Sequence, residues 1–188
     1  MLEERRQKLK EALNDPDEGV RVTAAEALER LESVLSLEQI REGLDSASRG
    51  HRIRAIFAME GIDSPGVFPL LLEALRNPDA HCRSAAVQVL GEKKNPKVLG
   101  SLIKHLRDPH PSVRVHTAAA LGNFRDGRLV PYLCAMLKET DEELVKSALR
   151  SLGRIGAPEA EKNLLPMLRD PRPAVRMEAA RALGRLAF

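Results

Sequence analysis

The chain has 188 residues with a formal net charge of +3, and 43% of its residues are hydrophobic, which is enough to form a packed core. Only 3% of the residues are aromatic, and tryptophan is absent. A single large globular core normally contains more aromatic side chains. The composition therefore favours thin layers of stacked helices filled by Leu, Ala, Val and Ile.

The sequence carries no sign of export or of membrane insertion. Residues 1–13 are charged from the third position onward, and no apolar run approaches the roughly 18 residues that span a bilayer. Two cysteines, Cys82 and Cys134, are too few for a disulfide framework, and both fall on apolar positions. We therefore predict a cytoplasmic protein with two buried free thiols.

One pattern recurs every 31 residues along the chain. Residues 108–122 read DPHPSVRVHTAAALG, in which Pro111 suits the first turn of a helix and Gly122 suits the place where the helix loosens. Steps of 31 residues from the arginine of this stretch reach the marker positions Arg21, Arg52, Arg83, Arg114, Val145 and Arg176. Six residues before the markers stand Asp15, Ser46, Asn77, Asp108, Glu139 and Asp170. A fixed interval of this size is the signature of stacked repeats.

The repeat predicts one domain over residues 1–188, in which each unit is a helix, a turn and a second helix. Its six units are residues 1–35, 36–66, 67–97, 98–128, 129–159 and 160–188. In the first unit, residues 2–13 form a polar helix, as expected for a terminal unit that meets water, and Asp17 is placed to cap the second helix.

The later units follow the pattern with three departures. The second unit has Ser46, Gly50 and His51 where its neighbours carry other residue types, so we expect it to be the least stable. The fifth unit has Val145 in place of the marker arginine. The sixth unit ends on its second helix, with an apolar face formed by Ala179, Ala182, Leu183 and Leu186. An exposed apolar end of a stack is a liability, so this helix is a candidate for self-association or for docking of further repeats.

The recurring pattern L-x-D-P-x-x-x-V-R-x-x-A-A-x-A-L-G resembles the HEAT repeat family, specifically the phycobilisome-lyase HEAT-like type, over the whole chain. This resemblance implies an all-α fold, a right-handed α–α superhelix of six two-helix repeats. It also implies a ladder between neighbouring units, formed by Asp15 with Arg21, Asn77 with Arg83, Asp108 with Arg114 and Asp170 with Arg176. Ser46 and Val145 depart from the pattern and interrupt the ladder at the second and fifth units.

Second-helix positions two, five and nine residues after each marker point away from the core and, in such solenoids, line the concave surface. The predicted partner-binding residues on this face are Arg54, Phe57, Gln88, His116, Arg150, Arg154, Arg181 and Arg185. Residues 1–94 hold 14 basic and 17 acidic residues, net −3, whereas residues 95–188 hold 16 and 10, net +6. The four C-terminal arginines favour an acidic partner, with a solvated charged helix face as the alternative. Phe57 either anchors a partner or packs in a locally rotated second unit.

We predict no catalytic residue, metal site or cofactor. Deoxyhypusine hydroxylases with similar repeats carry His-Glu pairs just after the marker to hold a di-iron centre, and no unit here has that pair. The five histidines lack the spacing of metal ligands.

The predicted function is a non-catalytic scaffold that binds an extended or acidic protein partner on the concave face. One alternative is sequence-independent nucleic-acid binding through the basic C-terminal half. Most of the marker arginines come with a polar partner at constant spacing, however, which a polyanion track does not require. The resemblance implies a second alternative, a bilin-lyase-related chaperone or lyase subunit.

Overall fold

A computed structural model describes residues 1–186, and the last two residues of the sixth predicted unit, Ala187 and Phe188, lie outside the described residues. Within that range the chain forms eleven α-helices and no strand, which confirms the predicted all-α class. The helices are α1 (Leu2–Ala12), α2 (Glu18–Leu44), α3 (Arg49–Ala58), α4 (Val67–Ala74), α5 (Ala80–Lys93), α6 (Leu99–Lys104), α7 (Pro111–Gly122), α8 (Val130–Met136), α9 (Glu142–Ile155), α10 (Glu161–Leu164) and α11 (Pro173–Leu183).

Residues 1–67 form one compact unit that contains α1, α2 and α3. Helix α2 runs for 27 residues and begins after Asp17, whose side chain accepts a hydrogen bond from the amide of Val20 and so confirms the predicted cap. This helix passes through residues 35 and 36, where we predicted a boundary between two helix–turn–helix units. No turn occurs there because residues 20–42 contain neither glycine nor proline, the residues that interrupt helices most strongly.

Residues from 68 onward form a second compact unit, in which helices of two kinds alternate. The second helices of the repeats, α5, α7, α9 and α11, pack side by side in chain order. The shorter first helices α6, α8 and α10 are joined to short 3-10 turns and pack against the second helix of their own repeat. Leucines fill the space between the two layers at a constant interval of 31 residues, and those that are fully buried include Leu71, Leu102, Leu133, Leu164, Leu90, Leu121 and Leu152.

Three glycines allow the second helices to approach one another closely. A Cβ atom on Gly91 would lie 2.7 Å from the Cβ of Ala120, and one on Gly122 would lie 2.8 Å from the Cα of Ser151. At Gly153 the same atom would lie 2.9 Å from the Cα of Ala182. We predicted that Gly122 loosens a helix end. Helix α7 does end there, but the glycine is required because any side chain would collide with α9.

Both cysteines are buried and free, as predicted. Burial raises the pKa of the Cys134 thiol, with nearby Lys162 opposing the shift. A buried thiol of this kind behaves as a small apolar side chain.

Candidate partner-binding surface

The second unit exposes one polar face along its second helices, which we call the polar face. Its residues lie on α5, α7, α9 and α11 or just beyond their ends, at the predicted positions two, five and nine after each marker. They are Gln88, Glu92, His116, Asn123, Arg150, Arg154, Glu178, Arg181 and Arg185. Two other residues at predicted positions, Ala85 and Ser147, are buried between helices and do not contribute to this face.

A row of hydrogen bonds crosses three successive helices on the polar face. The Nδ2 of Asn123 donates to Oε1 of Glu92 at 2.9 Å, and Nη1 of Arg154 donates to Oδ1 of Asn123 at 3.1 Å. The three residues are spaced by 31, and Arg185 is the next residue in the same register. The repeat spacing predicted that all four line this surface, nine residues after a marker, but only Arg154 and Arg185 were among the predicted partner-binding residues.

Two of the four predicted arginines, Arg150 and Arg181, contact an acidic residue, Glu178, that was not among the predicted partner-binding residues. Glu178 accepts a hydrogen bond from Nη1 of Arg181 at 2.9 Å and lies 3.4 Å from Nε of Arg150. The side chain of Glu178 is only 12% exposed, whereas both arginines are largely open to solvent. The single carboxylate of Glu178 faces the guanidinium groups of Arg150 and Arg181, so this end of the polar face keeps a net positive charge.

At the other end, His116 joins α7 to α5, and Gln88 bonds within α5. The Nδ1 of His116 is hydrogen-bonded to the hydroxyl of buried Ser84, and Nε2 of Gln88 donates to the carbonyl oxygen of Ser84 at 3.3 Å. Burial lowers the pKa of His116, so its imidazole is mostly neutral at pH 7. This end therefore presents neutral amide and imidazole groups beside Glu92.

Arg54 and Phe57 belong to α3 in the first unit, and both are exposed. Arg54 borders a groove of about 460 Å³ that is also lined by Ile40 of α2 and by His51. The polar face is defined by residues of the second unit, so these two predicted residues of the first unit are described by themselves. Their role in partner binding stays a prediction.

Marker arginines bond first to the backbone of their own repeat. In each case Nη1 donates to the carbonyl oxygens of the residues six and five positions earlier, as Arg21 does to Asp15 at 2.8 Å and to Pro16 at 2.9 Å. The same pair of bonds is made by Arg52, Arg83, Arg114 and Arg176. The acceptors are carbonyl groups, so Ser46 serves Arg52 as well as an aspartate would.

The side chains six residues before the markers have a different task. Asp15, Asn77, Asp108 and Asp170 each accept a hydrogen bond at 2.9 Å from the backbone amide two residues later. Such bonds stabilise the turn ahead of the second helix. The pairs that we predicted to form the ladder therefore meet at the backbone, and not through carboxylate and guanidinium groups.

Carboxylate pairing occurs between neighbouring repeats, at a separation of 25 residues in the best-formed case. Nε and Nη2 of Arg83 each donate to Asp108 at 2.8 Å, and the two side chains are 13% and 4% exposed. Burial raises the pKa of Asp108, but the bonds from Arg83 and the amide of His110 outweigh it and leave the pKa below its usual range. In the next repeat Arg114 lies 3.6 Å from Asp141, the residue that caps α9.

Across residues 1–186, no cluster of three or more His, Cys, Asp or Glu side chains is arranged to hold a metal ion. No helix in the same range combines the length and the apolar character needed to cross a bilayer.

The sequence model of HEAT repeats matches residues 37–109, 71–151 and 146–187. Comparison with curated protein sequences gives no significant match. Among solved structures, a chain in the complex of CpcE and CpcF of phycocyanin lyase from Nostoc sp. PCC7120 is 25% identical with a TM-score of 0.70. That match covers 80% of the present chain, which spans 65% of the length of the Nostoc chain.

Two further solved structures show the same fold at lower identity. The YIBA protein of E. coli is 20% identical with a TM-score of 0.65, over 97% of this chain and 72% of that one. A designed armadillo repeat protein, solved in complex with the peptide (KR)4, is 19% identical with a TM-score of 0.59, over 99% of both chains.

Proposed function

Because the chain belongs to the HEAT repeat family, we propose that it is a non-catalytic scaffold that binds an extended, acidic segment of another protein along the polar face. Proteins built from such repeats commonly bind partners along the surface that their stacked helices expose. The observation that carries the proposal is the row of Glu92, Asn123 and Arg154, which places polar groups at one register on successive helices.

The spacing of this row suits an extended chain. Packed helices lie about 10 Å apart, and an extended peptide advances about 3.3 Å per residue. Every third residue of a bound segment therefore reaches the next helix. The register from Glu92 to Arg185 covers three such intervals, which corresponds to about nine residues of partner.

The charges along the face orient the partner. Guanidinium groups bind carboxylates through paired, charge-assisted hydrogen bonds, so Arg154 and Arg185 favour acidic side chains at the α9 and α11 end. Glu92 repels them at the α5 end. Asn123 lies between these ends, and its amide is able to donate to and accept from a peptide backbone. The preferred segment is acidic at one end and neutral or basic at the other.

Charge reversal at the basic end tests this proposal. We expect Arg154→Glu combined with Arg185→Glu to weaken binding of a labelled acidic nine-residue peptide by about tenfold or more, because two attractive pairs become repulsive. Fluorescence anisotropy at physiological salt measures the dissociation constant. The matched control is Arg107→Glu combined with Arg169→Glu, two exposed arginines outside the polar face, which should leave affinity nearly unchanged. Equal affinity of the first variant and the wild type would contradict the proposal.

Nucleic-acid binding is a second candidate, favoured by the net charge of +6 over residues 95–188. It predicts that the chain binds oligonucleotides of unrelated sequence, with an association constant that falls steeply with salt as counterions are released. The scaffold proposal predicts little binding to such oligonucleotides at physiological salt. A titration at two salt concentrations separates the two functions.

A lyase-related subunit is a third candidate, favoured by the 25% identity and TM-score of 0.70 to the chain from the phycocyanin lyase complex. It predicts that the chain binds a bilin-free phycocyanin subunit and increases covalent attachment of the pigment. The visible absorption of denatured phycocyanin after incubation measures that attachment. No increase over the reaction without the chain would reject this candidate.

A further inference from the structure

The last described repeat leaves positions open that are covered in the repeats before it. Leu168 is 40% exposed, whereas the residues 31, 62 and 93 positions earlier, Leu137, Leu106 and Leu75, are 7%, 4% and 2% exposed. Ala180 is likewise exposed, although the equivalent Leu149 is fully buried. The side of α11 that would receive a following repeat is therefore uncovered within the described residues.

Gly184 lies just after α11, in the register of the glycines that bring helices together. At Gly91, Gly122 and Gly153 an added Cβ would collide with the next second helix at 2.9 Å or less. At Gly184 the nearest atom would be the carbonyl oxygen of Ala180 at 3.6 Å, which belongs to the preceding turn. Gly184 therefore leaves room for another helix to approach closely, and no helix of the described residues occupies that room.

Arg176 is held by its own turn in the same way as Arg83, which forms an ion pair with the next repeat. In both residues Nη1 is bound to the two carbonyl groups of the preceding turn. Arg83 uses its other donors, Nε and Nη2, to bind Asp108. Within residues 1–186, Arg176 forms no ion pair with a carboxylate. We call Leu168, Arg176, Ala180, Leu183 and Gly184 the C-terminal junction face.

The first repeat shows the complementary half of such a junction. Val20 is 42% exposed, although its equivalents in the second unit, Cys82, Val113, Leu144 and Val175, are 0% exposed. Val20 lines an apolar groove of about 460 Å³ between α1 and α2. Other residues that line this groove include Leu9, Ala12, Ala24 and Ala27.

Two further residues of the first repeat occupy positions that form contacts between later repeats. Ala27 is equivalent in the repeat to Ala120, the residue that packs against Gly91. Asp15 stands in the register of Asp108, and its Oδ1 accepts the amide of Asp17 in the same way. We call Asp15, Val20, Ala27 and the groove the N-terminal junction face.

We propose that the chain associates head to tail with a second copy of itself, the C-terminal junction face of one copy packing on the N-terminal junction face of the next. Arg176 would bind Asp15 as Arg83 binds Asp108, and Gly184 would receive Ala27 as Gly91 receives Ala120. The charges of the two ends agree, because residues 1–35 carry six basic and nine acidic residues, net −3, and residues 160–188 carry six and three, net +3. Such a contact is heterologous, so it extends into chains unless it closes into a ring. It uses neither Arg154 nor Asn123 and does not depend on the proposed function.

Filling the glycine position tests the junction. We expect the wild type to show a sedimentation coefficient that rises with concentration, and Gly184→Leu to remain a monomer at each concentration. Gly184 has helical backbone angles and open space, so the melting temperature should not fall. Gly100→Leu is the matched control, since no atom lies within 4 Å of the place that a Cβ would occupy on this exposed glycine of α6, and it should associate as the wild type does. A monomeric wild type, or association of Gly184→Leu, would overturn the proposal.

A charge swap tests the register. Arg176→Glu alone and Asp15→Arg alone should each be monomeric, because each places like charges opposite one another. An equimolar mixture of the two variants should associate again, since every junction between unlike chains then joins opposite charges. Circular dichroism establishes that both variants are folded, because Arg176 also holds its own turn. Folded variants that remain monomeric when mixed would rule out the Arg176–Asp15 register.

Discussion

The ion pair between Arg83 and Asp108 couples one repeat to the next through two residues. Nε and Nη2 of the guanidinium group bind the two oxygens of the carboxylate, and the pair is almost buried. Removal of one member of a buried pair is costly, because the remaining charge has neither water nor a partner. We therefore expect a large loss of stability when one carboxylate oxygen of Asp108 is replaced by the amide nitrogen of asparagine.

We expect Asp108→Asn to lower the free energy of unfolding by about 3 kcal/mol. The asparagine still accepts the amide of His110, so the turn persists while Arg83 loses its counter-charge. Asp126→Asn is the control. It has the same turn geometry and an arginine partner, Arg128, but that partner is exposed, so its cost should stay below about 1 kcal/mol. Urea denaturation of both variants measures the difference, and equal losses would contradict this role for the buried pair.

The pH dependence of stability follows from the same type of contact. Hydrogen bonds from the side chain of Arg172 lower the pKa of Asp170 from 3.8 to about 2. A carboxyl whose pKa is lowered on folding adds stability above its unfolded pKa, and this stability is lost as the pH falls through the folded value. We expect the wild type to lose stability between about pH 4 and pH 2, and Asp170→Asn to lose less over that range. Denaturant titrations at pH 7, 4 and 2 measure both losses, and identical losses would contradict the prediction.

At the scale of elements, close helix approach depends on one glycine per repeat. Ser151 lies opposite Gly122 and donates its hydroxyl to the carbonyl of Ala118 at 2.7 Å, which ties α9 to α7. A larger residue at Gly122 would push the two helices apart and break this bond. The second helices therefore stack at a distance that their small residues determine.

We expect Gly122→Ala to lower the free energy of unfolding by about 1–3 kcal/mol, because the new methyl group would lie under 3 Å from Ser151. Gly184→Ala makes the same change at the same register where the space is open. It should be neutral or stabilising by up to about 1 kcal/mol, because alanine favours helix more than glycine does. Thermal unfolding monitored by circular dichroism compares the two. A loss of the same size in both variants would show that the glycine itself matters and the packing does not.

At the scale of the whole molecule, buried apolar side chains are unevenly distributed. Of the described residues, seven apolar side chains are buried in residues 1–67, against 34 from residue 68 onward. Helix α1 has no buried residue at all. Segments with few buried contacts open most easily, so stability should differ between the two units.

Hydrogen exchange should reveal this difference directly. We expect amides of α1 and α3 to exchange before those of α5, α7 and α9 under native conditions, because the helices of the second unit enclose fully buried leucines. Mass spectrometry of peptic fragments resolves the helices. Equal protection in both units would indicate that the chain opens as one cooperative body.

Much of this molecule is readable from its register of 31 residues. That register identifies the repeat family, the all-α class, the cap at Asp17 and the burial of both cysteines, because these features depend on neighbours within a few positions along the chain. The lack of glycine and proline over residues 20–42 also favours the long helix α2, although we predicted a boundary between two units at residues 35 and 36.

The contacts between repeats were not readable in the same way. Spacing along the chain placed Asp108 six residues from Arg114, but the stacking of helices brings it to Arg83. Stacking also brings Glu178 of α11 to Arg150 of α9. The residues of these two pairs lie 25 and 28 positions apart, and their contacts depend on how far each helix rotates against the next. Side-chain packing across the whole layer sets that rotation, and no local stretch of sequence encodes it.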